Sequence, residues 1–140
     1  MVNFFPGTKV LAARLMEEIA LACVGAADVP RGVVFDDQYM TTGGQLYELM
    51  VGHDRFNADL RPLFYRMQGM AAGICVHPYD MAALLIAREL GIELTDGLGG
   101  ELDAPLDVDT PMQWAGFANA ALRRRIEPVM MRVIEGMSNG

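Results

Sequence analysis

The chain has 140 residues, 52% of them hydrophobic and 21% charged, and a formal net charge of −7. That length suits one domain with a core of its own, and the composition excludes a disordered tail. The acidity sets nucleic acid aside as a partner, because such a chain repels phosphate backbones at long range.

No apolar run approaches the ~18–20 residues that cross a bilayer. The opening stretch from Met1 to Pro6 lacks the basic and apolar regions of a signal peptide. Cys23 and Cys75 each lie in an apolar stretch, with no second cysteine or histidine at metal-ligand spacing. Both read as reduced core thiols of a cytoplasmic protein. Arg123, Arg124 and Arg125 point in different directions on a helix and read as a solvated face.

In chain order, the pattern predicts a helix over about 8–24, opened by Pro6-Gly7-Thr8 and stopped by Gly25. A short strand is expected at 32–36. Thr42-Gly43-Gly44-Gln45 fits a capping box, with Thr42 as N-cap, for a helix ending at Gly52. Glycine in a first turn costs roughly 1 kcal/mol, which close approach of a backbone or ligand would explain. Alternating apolar residues predict a strand over 55–61, ended by Pro62, and the stretch 63–76 has no clear period. A third helix is expected from Pro78-Tyr79-Asp80 to Leu90, apolar nearly all round and therefore buried. Strands follow at 92–95 and 113–118, separated by an acidic loop whose spacing does not fit an EF-hand. Asn119 caps a last helix, which Pro128 should break or kink. Alternating helices and strands predict a single α/β domain over 1–140, with a layered, mixed or mostly parallel sheet flanked by helices.

The most informative segment runs from His77 to Leu102. It contains Tyr79-Asp80 at a helix start, Ala83, an apolar run, Glu89 and Gly91, then Thr95-Asp96 and a glycine turn. Ala118-Asn119 opens the last helix. In this order the segment resembles the inositol monophosphatase family, which shares its fold with fructose bisphosphatases. Upstream, Thr42-Gly43-Gly44 to Asp59 also looks like that family. The family's N-terminal metal-binding motif has no counterpart here, so the chain looks like a C-terminal half standing alone.

The resemblance implies a Mg2+-dependent phosphomonoesterase acting on sugar or inositol phosphates, incomplete without its other half. It implies Asp80 as metal ligand and catalytic residue. It places Thr42, Gly43 and Gly44 at a substrate-facing helix start, Asp59 against a substrate hydroxyl and His77 beside the substrate. A carboxylate suits Mg2+, and a helix N-terminus keeps it ionised. Asp80 also reads simply as a helix cap, and His77 as a structural histidine. The alternative is a non-catalytic binding or assembly module on the same fold. A half-fold leaves apolar surface uncovered, so a homo-oligomer or an N-terminal-half partner is expected.

Overall fold

The computed structural model describes residues 6–34 and 41–139. Among them run α1 Lys9–Val24, α2 Thr42–Met50, β1 Phe56–Asp59, α3 Arg61–Met67 and α4 Leu84–Glu89. β2 Glu93–Thr95, β3 Trp114–Phe117 and α5 Ala120–Ser138 complete the order, with 3₁₀ turns at Val29–Arg31 and Pro78–Met81.

The strands lie in the order β1-β3-β2, and β3 is antiparallel to both neighbours. The sheet is thus small and antiparallel, which corrects the expectation of a mostly parallel one. β1 and β2 do run parallel to each other, joined by α3 and α4. The last strand inserts between them from the far end of the acidic loop and runs against each. Every ladder among the described residues is therefore antiparallel, although helices and strands alternate along the chain.

Alternation along the strands assigns side chains to two faces. Phe56 pairs with Phe117 and Ala58 with Ala115 on one face, with the two phenyl centroids 5.3 Å apart. Ala12, Leu15 and Ile19 of α1 cover this face together with Ile126, Met130 and Ile134 of α5. On the other face Asn57 and Leu94 lie opposite Gly116, and Asp59 opposite Trp114. There Leu46 and Leu49 of α2, with Val76, Met81 and Ala87, close around Trp114. The mixed helix-and-strand architecture has helices on both sides of the sheet.

Local signals place several elements as expected. Gly25 ends α1 and donates its amide to Leu21. Asn119 Oδ1 accepts from the Leu122 amide at 3.0 Å and caps α5. That helix continues through Pro128 instead of breaking there. An interior proline costs ~3 kcal/mol; the buried stripe of Ile126, Met130, Val133 and Ile134 outweighs it.

Other expectations are corrected. Gly32, Val33 and Val34 form no strand and follow the 3₁₀ turn, where Pro30 pre-sets a tight bend; Phe35 and Asp36 lie outside the described residues. Pro62 does more than end β1, since it sits in the first turn of α3, which takes up part of the unassigned 63–76 stretch. The expected third helix is split into the turn Pro78–Met81 and the short α4. It is not buried all round: Leu85, Ile86 and Leu90 are 71%, 60% and 61% exposed. This segment packs against α2, where Met81 and Ala87 are buried, and no described element covers Leu85, Ile86 and Leu90.

The cap of α2 is Thr41, whose Oγ1 accepts from the Gly44 amide at 3.0 Å. Thr42 is the first helical residue and is buried, so the expected Thr42–Gln45 capping box does not form. Thr41→Ala should lose about 0.5–2 kcal/mol of stability and Thr41→Ser should retain it. Urea denaturation measures both, and equal stabilities would refute the assignment.

Candidate functional site

Asp59, Thr42 to Gly44 and Asp80 belong to elements gathered on one side of the sheet. Asp59 faces that side in register with Trp114. α2 packs on β1 and on the Pro78–Met81 turn. The turn begins at His77 and carries Asp80 in its third helical position.

Asp80 is a cap. Its Oδ2 accepts from the His77 amide at 2.9 Å, while its own amide donates to the His77 carbonyl at 3.0 Å. These reciprocal bonds close the turn that Pro78 starts. The His77 ring stacks on Tyr79 with centroids 5.7 Å apart and planes 4° apart. Its Nδ1 is buried, 3.9 Å from Asp80 Oδ2, and has no hydrogen-bond partner among the described residues.

Asp59 ends β1, where the resemblance implied contact with a substrate hydroxyl. It is fully buried, and Arg61 beside it is 6% exposed. The Arg61 Nε donates to Asp59 Oδ1 at 2.8 Å and to Oδ2 at 3.1 Å, and Nη2 also donates to Oδ2. The Arg61 amide adds a bond to Oδ1 at 3.2 Å. Burial alone pulls the Arg61 guanidinium down; the bonds and charge of Asp59 reverse this and hold it above the usual arginine range. The α3 start, with Pro62 next in line, carries Arg61 back over the strand end. The signal for this pair was the spacing Asp59-Leu60-Arg61, which strand alternation alone leaves as two same-side polar residues.

Cys75 lies close to both acids. Burial pushes its thiol up, the Asp59 charge adds to the rise, Arg61 opposes it, and Asp80 contributes a smaller rise. Cys23 is half-buried and its thiol is also raised by burial, with Arg125 opposing. Both thiols are free.

At the α2 start the Gly44 amide is already taken by Thr41 Oγ1. Among the described residues, a Cβ on Gly43 would meet nothing within 4 Å, so none of them approaches that glycine closely. The acids of the 96–111 loop stabilise turns. Asp96 Oδ1 accepts from the Leu98 and Gly100 amides at 2.7 and 2.9 Å. Thr110, through hydroxyl and amide, holds the exposed Asp107 carboxyl below the usual range.

The described residues gathered here do not by themselves fit a Mg2+ centre. Among the described residues, no three His, Cys, Asp or Glu side chains gather where they could hold a metal. Asp59 is engaged by Arg61 and one oxygen of Asp80 by a backbone amide. The hard, water-rich octahedral shell of Mg2+ needs several free oxygens, and this neighbourhood does not offer them. Among the described residues, no helix is long and apolar enough to cross a membrane.

A scan against protein-family models, a search of curated proteins and a search of solved structures each returned no match.

Proposed function

We propose that the chain is a non-catalytic assembly module whose partner is a second copy of itself. The observation that carries this reading is the exposed apolar face of α4, formed by Leu85, Ile86 and Leu90. Two large apolar side chains on this six-residue helix and a third on its C-cap, Leu90, leave water-accessible surface that association would remove. A two-fold contact places the same patch on both partners. An apolar patch tolerates its own copy, whereas most of the surface of a chain with net charge −7 repels it.

Sedimentation velocity over a range of concentrations tests the reading. Wild type should associate, and Leu85→Asp/Ile86→Asp should sediment as a folded monomer. A wild type that stays monomeric at every concentration would rule it out.

Mg2+-dependent hydrolysis of a sugar or inositol phosphate is the second reading. One observation favours it: Asp80 Oδ1, on a partly exposed side chain, has no hydrogen bond among the described residues. Phosphate release from a panel of such esters, with and without Mg2+, on wild type and Asp80→Ala decides between the two. No release is expected; release that needs both Mg2+ and Asp80 would replace the first reading with the second.

A further inference from the structure

The carboxylate at the end of β1 already has a cation. Asp59 is wholly buried, and Nε and Nη2 of Arg61 form a fork on its two oxygens. We infer that Arg61 is the built-in, permanent counter-cation of Asp59, and that Mg2+ does not bind there.

Two physical arguments support the assignment. A buried carboxylate needs a paired, hydrogen-bonded cation, because an isolated charge in the interior is costly. Guanidinium supplies that cation permanently, since its charge is not lost at any pH the fold survives, and its planar fork matches the carboxylate. Mg2+ would have to displace this fork and bring its own waters into a site with no solvent exposure. Burial raises the nearby Cys75 thiol first; the Asp59 charge adds to that rise and the Arg61 charge opposes it. Asp80 stands outside this arrangement, because its Oδ2 serves the His77 amide. The inference is independent of self-association: it concerns a buried pair on the α2 side of the sheet, and its test does not read oligomeric state.

The test combines Mg2+ titration calorimetry with thermal melting of Arg61→Met, Asp59→Asn and Asp59→Asn/Arg61→Met. Wild type should give no saturable heat up to about 10 mM Mg2+, beyond the range of weak cation sites. Arg61→Met should melt far below wild type, because it strands a buried carboxylate. The double variant should melt above Arg61→Met, because no lone charge remains. If Arg61→Met does not fold, the same comparison is whether the double variant does. Saturable Mg2+ heat that disappears in Asp59→Asn would overturn the inference. So would a double variant no more stable than Arg61→Met. Saturable heat that survives Asp59→Asn arises elsewhere and leaves it standing.

Discussion

Trp114→Ala should lose about 3–5 kcal/mol of folding stability. Trp114 is fully buried on the central strand, where it packs among Leu46, Leu49, Val76, Leu94 and Met112. Its removal would empty the middle of the layer between the sheet and α2. Its Nε1 is buried without a hydrogen-bond partner among the described residues. Trp114→Phe therefore trades lost volume against relief of an unpaired donor, itself a cost of about 1–3 kcal/mol. The phenylalanine variant should lie nearer to wild type than to the alanine variant. Urea denaturation followed by circular dichroism measures all three, since Trp114 is the single tryptophan and fluorescence would be lost with it. A loss of under about 1 kcal/mol in Trp114→Ala would show that this layer is not tightly packed.

Gly116→Ala should be destabilising by about 1–3 kcal/mol, although alanine in a strand ordinarily improves on glycine by roughly 0.5–1 kcal/mol. The reason is close approach. A Cβ at Gly116 would lie 2.7 Å from Trp114 Cζ3, 2.8 Å from Leu49 Cδ1 and 3.0 Å from Leu94 Cδ2. All three neighbours are buried, so none can swing into solvent. Gly43→Ala makes the opposite case. Its Cβ would meet nothing within 4 Å among the described residues, and the substitution should stabilise α2 by up to about 1 kcal/mol. Thermal melting of both variants gives the two signs. A stabilised Gly116→Ala would refute the packing argument, and a destabilised Gly43→Ala would revive the expectation that something approaches that helix start closely.

The candidate site was legible in part. Tyr79-Asp80 after Pro78 announces a capped turn, and the structure finds Asp80 doing that work. Thr42-Gly43-Gly44 announces a helix start, but the cap falls one residue earlier, at Thr41. Only the Thr42 register puts Gln45 at the third helical position, so the sequence favours Thr42 as the cap; in the structure Thr42 is buried and Thr41 takes the cap. The family resemblance places Asp59 against a substrate hydroxyl, but in the structure it is buried. Its burial depends on lying opposite Trp114, and its pairing depends on α3 turning Arg61 back over the strand. Neither is visible in a window of a few residues.

Sequence alone determined the features whose physics is local. The extent of α1, the strands around Phe56, Leu94 and Ala115, and the Asn119 cap each follow from side-chain period and from hydrogen bonds spanning three or four residues. Tertiary structure decided the antiparallel order of the strands, the exposure of Leu85, Ile86 and Leu90, the continuity of α5 through Pro128 and the neutralisation of Asp59. Each of these depends on which distant surface packs against an element. Burial energy and charge pairing are fixed by three-dimensional neighbours, and the same apolar helix is core or surface according to how many of its sides other elements cover.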